Sequence, residues 1–262
     1  MAENLHSLDR ARHICYNILI LKFNSAEVTM ITEKIGGGTY ISLGFPLTLS
    51  DDAKNAILEK WDMANDEGEV DDLLAEAEAI ARPCAYVLPL SVDELKEDYA
   101  VLSGVRFEST LLSKQLSPLM NRENPTVYAY TITCGQELHR WSQNQDDILL
   151  QGVAEDISVR YLYMASAALR EFVSTNYFHG KHFSAMNPGS LHTWDITNQK
   201  PLFGLMGEGA DKCGVELTDS MLMIPFKSGS GVYYESEHNF ESCMFCDKLN
   251  CPNRRAEFKG NE

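Results

Sequence analysis

Three cysteines crowd one short segment, Cys243-Met-Phe-Cys246-Asp-Lys-Leu-Asn-Cys251-Pro. A Cys-x2-Cys spacing lets two thiolates converge on one ion or cluster edge, and a third, after four more residues, can close the site. Such a set suits an iron–sulfur cluster with Cys213 as candidate fourth ligand. It also suits zinc, with His238 or Cys213 completing a tetrahedron. Spacing alone does not separate the two metals, and free surface thiols are the plain alternative. Arg254-Arg255 would set positive charge beside an anionic cluster. A second group of residues is notable for lack of bulk. Asn187-Pro188-Gly189-Ser190 lets the backbone turn so that a flat ligand can approach peptide groups. Ser228-Gly229-Ser230-Gly231 offers another small surface, with Lys227 as a charge for a carboxylate or phosphate and Tyr233 close by. Turn chemistry between strands is the ordinary explanation for each. Cys84, Cys134 and Cys213, with His179 or His182 as base, make a thin case for a thiol hydrolase, because lone cysteines among apolar neighbours are usually core residues.

These groups sit in a chain whose bulk properties narrow the classes open to it. At 44% apolar and 23% charged residues, its 262 residues can bury a real core. The net charge of −16, from 38 acidic and 22 basic residues, repels polyanions, so nucleic acid is not an expected partner. No apolar run reaches the length of a membrane span. The opening Met1-Ala-Glu-Asn-Leu-His lacks the blocks of a signal peptide. A cytoplasmic setting is therefore expected, in which seven cysteines favour metal binding over disulfides. The acidic crowding between Asp51 and Glu78 reads as a solvated helix face.

The positioning elements follow from periodicity. Apolar residues from Leu8 run near helical spacing into Ile18–Leu21, and Gly36-Gly37-Gly38 turns the chain into a strand over Thr39–Leu43. That glycine run lacks the strand–loop–helix context of a phosphate cradle. Helices are expected from Asp51 through Trp61 and over Val70–Ala81, the second stopped at Arg82-Pro83. Tyr86–Leu90, Tyr99–Leu102 and Phe107–Leu112 read as strands or connectors, and Val127–Thr133 as the clearest strand, ended by Gly135. A long helix spans Asp146 to about Tyr177, with Ile148, Leu149, Val153, Ile157, Leu162, Ala165, Leu169 and Phe172 on one face. Leu222–Phe226 and Gly231–Tyr234 read as strands around a small-residue turn. The order points to an α+β fold, with residues 1–240 as one domain (1–50 the least patterned) and 241–262 as a cysteine-rich metal-binding tail.

Met186-Asn187-Pro188-Gly189-Ser190-Leu191, followed downstream by Met223-Ile-Pro225-Phe-Lys227-Ser228-Gly-Ser230-Gly231, resembles the activation domain of cobalamin-dependent methionine synthase. Ala81-Arg82-Pro83 and Thr131–Leu138 add to the likeness, which spans about Val70 to Arg255. The resemblance implies a twisted antiparallel sheet with flanking helices. It also implies contact of Asn187, Pro188, Gly189, Ser190, Lys227, Ser228, Gly231 and Tyr233 with S-adenosylmethionine or a corrinoid. Cobalamin would be carried by a partner, a corrinoid-binding protein or methyltransferase. The protein would assist reductive reactivation or methylation there, with an electron-donor protein and an iron–sulfur cluster at Cys243, Cys246 and Cys251 as the electron route. A homodimer is compatible with the sequence. Two departures stand out. The family's arginine four residues before the loop glycine is Ala185 here, and the aromatic after that glycine is Ser190. Glu155 and Glu171 are alternatives for its helix glutamate, and the cysteine tail is absent from the full-length enzyme's domain. A zinc-stabilised binding module that keeps the fold without the methyl donor is the competing reading.

Overall fold

The computed structural model describes residues 17–23, 26–44, 51–63, 67–250, 254 and 256–260. Its elements run β1 (Asn17–Phe23), β2 (Ala26–Ile35), β3 (Gly38–Gly44), α1 (Asp51–Lys60), α2 (Glu67–Ile80), β4 (Cys84–Leu95), β5 (Tyr99–Leu102), β6 (Val105–Glu108) and α3 (Thr110–Leu116). They continue with β7 (Thr126–Thr133), α4 (Gln136–Gln143), α5 (Ile148–Val173), β8 (Phe183–Met186), α6 (Gln199–Met206), α7 (Glu208–Lys212), β9 (Glu216–Leu217), β10 (Met223–Ile224) and β11 (Ser228–Glu235). The main sheet has the order β1-β2-β3-β4-β7-β11-β8, with β5 and β6 branching from β4. Every pairing in it is antiparallel. This is the α+β class expected, a large antiparallel sheet with helices against it.

Alternation along β4 divides the interior. Cys84, Tyr86, Leu88, Leu90 and Val92 join α3, α6 and α7 in one core, while Ala85 and Val87 join the far half of α5 in another. A strand covered on both faces must be nearly continuous in apolar residues, and β4 is so over Cys84–Leu90. Pro89, which cannot donate to a ladder, falls between the stretch paired with β3 and the stretch paired with β5. A third core gathers α1, α2, α4 and the near half of α5 around Ile57, Leu73, Leu138 and Ile157. The long helix thus serves two cores, packing on helices first and on the sheet afterwards.

Several expectations need correction. Ile148 is 85% exposed and Leu149 37%, so the packed face of α5 begins after them, with Leu150 partly buried and Val153 the first fully buried residue. Their turn is the helix start, where Asp147 accepts a hydrogen bond from the Leu149 N–H at 2.6 Å. Phe107–Leu112 is not one strand: Ser109 caps α3 by accepting from the Leu112 N–H at 2.9 Å, which ends β6 after Glu108. Ser228–Ser230 is not a turn but the start of β11, paired with Thr131–Thr133, and only Met223–Ile224 of the preceding stretch is strand. Leu8–Tyr16 lies outside the described residues.

Close packing at Tyr86 ties β3, β4 and α7 together. Its ring is fully buried and its hydroxyl donates to the Ile35 carbonyl at 2.8 Å. A Cβ on Gly209 would lie 2.2 Å from the ring, and one on Gly38 2.4 Å. Gly209→Ala should therefore cost about 1–3 kcal/mol by overpacking. Gly204→Ala, where an added Cβ meets nothing within 4 Å, should add roughly 0.5–1 kcal/mol through helix propensity. Urea unfolding of both variants checks the pair, and shifts of the same sign would contradict this packing.

Candidate functional site

The Pro188-Gly189 loop leaves the end of β8 and is set by a side-chain amide. Gly231, opposite in β11, has no room for a side chain: a Cβ there would lie 2.3 Å from the Met186 carbonyl and 2.6 Å from the Asn187 amide nitrogen. That amide occupies the space, donating to the Tyr130 hydroxyl at 2.7 Å and to the Ser230 carbonyl at 2.5 Å. Pro188 is buried beneath the loop, whereas Gly189 and Ser190 face outward. Gly189 has φ +79°, and a Cβ on it would run into Ile196 at 2.5 Å. Only glycine meets both demands cheaply. The Gly189 N–H donates to the Trp194 carbonyl at 2.8 Å and the Ser190 N–H to the Asn187 carbonyl at 3.2 Å. Those two peptide donors are thus used within the loop, and what it presents outward is low bulk rather than a donor pair. From behind, the Ser109 hydroxyl donates to the Thr193 carbonyl at 2.8 Å, and Trp194, fully buried, bridges Ser109.

The other residues tied to this loop by resemblance divide into two groups. Tyr233 is a buried support: its ring stacks on Tyr130 at 4.2 Å and meets Phe183 edge-on, while the Arg170 guanidinium lies 4.9 Å from the Phe183 ring. Tyr233 thereby steadies the phenol that receives the Asn187 amide. Lys227 and Ser228 stand at the far end of β11, on the order of 13 Å from Gly231 at about 3.3 Å per residue for Lys227. Lys227 is not a free charge, since its ammonium pairs with Glu155 at 2.9 Å. Glu155 also accepts from the Gln143 amide at 2.7 Å, which engages one of the two glutamates considered for a ligand amine; the other, Glu171, is exposed. The Ser228 hydroxyl donates to the Thr133 hydroxyl at 2.9 Å.

The cysteine segment folds back toward the Pro188-Gly189 loop. Phe240, whose N–H donates to the Ser184 hydroxyl at 3.0 Å, stacks with Phe245 and fixes the segment beside β8. Cys243 and Cys246 are reduced and half-buried. The Arg254 guanidinium gathers the carbonyls of Cys243, Cys246 and Lys248, the last two at 2.8 and 2.7 Å. Cys251 lies outside the described residues, among which no set of three or more His, Cys, Asp or Glu side chains converges. Cys213 is in the core, where its thiol contacts Cys84; that contact and burial push the Cys213 thiol well up. Burial likewise pushes Cys134 up to about 12, so neither of these two thiols is a ready nucleophile, whereas the contact with Cys213 draws the buried Cys84 thiol below its ordinary value. His238 is exposed. A cleft of about 580 Å³ lies between the two segments, lined by Gly189–His192, Asp195 and Ile196 and by Phe245–Lys248.

Sequence reasoning picked out both segments but not these groups that hold them: Tyr130, Ser109, Phe245 and Arg170. Each carries an ordinary residue type in an ordinary element, and its role arises only from long-range contact.

No family model matches the chain, and no curated protein does. Among solved structures the fold is similar to the MetH reactivation domain bound to AdoHcy, with a TM-score of 0.51 and 16% identity. The match covers 66% of this chain and 66% of that one, so it spans just under two thirds of its length. At that identity the likeness shows the fold. Among the described residues no helix is long and apolar enough to cross a membrane.

The Lys227 hydrogen bond is the first cause holding the Glu155 carboxyl below its ordinary value. The stabilisation from this pair is therefore complete above the ordinary carboxylate range and is lost as pH falls through the depressed value. Lys227→Met should move the Glu155 carboxyl upward in an NMR titration, and an unmoved carboxyl would contradict the pairing.

Proposed function

We propose that this protein presents an adenosyl-sulfur ligand, S-adenosylmethionine or S-adenosylhomocysteine, to a corrinoid carried by a partner methyltransferase, and so assists its reductive reactivation or methylation. The observation that carries this reading is the locked Pro188-Gly189 loop. Its outward face is Gly189 and Ser190, its inward face is anchored by Asn187, and it sits on a fold similar to a domain solved with AdoHcy bound. The residues suit such a ligand. A cleft of about 580 Å³ is in the size range of small-molecule sites, and Leu191, Ile196 and Phe245 offer apolar surface to a flat base. A sulfonium ligand supplies a methyl group, and the cobalt chemistry belongs to the partner's cofactor. This chain's part is to orient: Asn187 fixes the loop, Pro188 fills the space beneath it, and Gly189 admits close approach.

Cys243, Cys246 and Cys251 are proposed to hold an iron–sulfur cluster, which would supply one-electron chemistry between a donor protein and the corrinoid. Arg254 sets positive charge among the loop carbonyls, which suits an anionic cluster. Cys213 can serve as fourth ligand only by leaving its contact with Cys84. Anaerobically purified protein should contain iron and acid-labile sulfide, lost in Cys246→Ser; zinc in their place would remove the electron route. A zinc-stabilised module without methyl-donor binding is the second reading, favoured by Ala185, which pairs with Tyr233 and brings no guanidinium to the loop.

Calorimetric titration tests the first reading. Wild-type protein should bind S-adenosylmethionine and S-adenosylhomocysteine one-to-one. Gly189→Val, forced against Ile196 at positive φ, should weaken binding by about tenfold or more, as expected from 1–3 kcal/mol of strain. Absence of binding to the folded wild type would overturn the reading in favour of the second.

A further inference from the structure

The Pro188-Gly189 loop supplies only part of the cleft's surface. Phe245, Cys246, Asp247 and Lys248 line it as well, and they belong to the cysteine segment. That segment is fixed independently of any ligand. Phe245 stacks on Phe240, Phe240 is bonded to Ser184 of β8, and Arg254 gathers carbonyls from Cys243 to Lys248. The Met244 carbonyl accepts from the Lys259 N–H at 2.7 Å, so a further turn of chain closes behind it. Cys246 lines the cleft and Cys243 does not, although both are half-buried on one short turn. The chemistry of the surface is mixed. Leu191, Ile196 and Phe245 are apolar, whereas His192, Asp195 and Lys248 are polar. A nucleoside-sized molecule with a flat base and a polar chain fits both that pattern and the volume.

We infer that the cysteine segment is the second wall of the ligand site: a nucleoside thioether seated on Gly189-Ser190 also touches Phe245 and Cys246. The inference rests on the reading that the loop receives an adenosyl-sulfur ligand, and it adds that the tail is part of the binding surface. The two segments singled out separately in the sequence then make one site.

Alkylation by iodoacetamide, followed at each thiol by peptide mass spectrometry, tests this on the full chain with S-adenosylhomocysteine as probe. At a probe concentration ten times the calorimetric dissociation constant, alkylation of Cys246 should slow about tenfold, following the unoccupied fraction. Cys243, the internal control, should change by less than about twofold. Measured binding with Cys246 unprotected, or with both thiols slowed alike, overturns the second wall while leaving the ligand reading intact. No binding heat overturns the ligand reading, and the second wall with it. Should both thiols be inert because they hold a metal, affinity decides the matter. Phe245→Ala should then weaken binding about tenfold, while Leu249→Ala, exposed and outside the cleft, should not. Equal effects of the two would overturn the inference.

Discussion

Along their shared middle, strands β4, β7 and β11 lie side by side with side chains buried on both faces, where water has little access to polar groups. An unbonded polar group in such a place costs on the order of 1–3 kcal/mol; the buried Ser230 hydroxyl of β11 is one that the fold leaves without a partner, and most of its neighbours are bonded. Thr131 donates to the Gly229 carbonyl, and Thr133 receives Ser228 and the Gly135 N–H. Tyr86 reaches the Ile35 carbonyl and Tyr130 receives Asn187. The same crowding explains glycine at 38, 209 and 231, where a ring or an amide fills the place of a Cβ.

The candidate site grows from the edge of that region. β8 is the last strand of the sheet, and past Met186 the chain turns away, tied back where Asn187 reaches over Gly231 and where Ser109 meets the Thr193 carbonyl. A loop fixed by one half-buried amide and one buried proline keeps its outward face rigid without side-chain bulk. Rigidity of this kind lowers the entropy that a ligand must overcome on binding. Lys227 and Glu155, at the opposite end of β11, tie the sheet to α5 instead. The charged and polar groups around the cleft itself are Asp195, Asp247, Lys248 and His192.

Much of the fold was legible because its signals are local. The β-branched and aromatic run Val127–Thr133, the glycine hairpin at Gly36-Gly37 and the helical period from Val153 to Phe172 each declare their element. Elements set by a cap or by pairing were not legible. Ser109 ends β6 through one hydroxyl, and Ser228–Ser230 becomes strand only because Thr131–Thr133 pairs with it. Small residues there resemble a turn in sequence and are instead what a doubly covered strand tolerates. In the site, the proline–glycine and cysteine spacings were visible, but not their proximity. That depends on Phe240 and Phe245 packing beside β8, more than fifty residues from the loop's start.

The measurement that bears most directly on this account is a crystal structure of the protein grown with S-adenosylhomocysteine. The account predicts ligand density against the backbone of Gly189 and Ser190, with Asn187 still bonded to Tyr130 and Ser230. Density for the ligand elsewhere, with the Pro188-Gly189 loop bare, would contradict it.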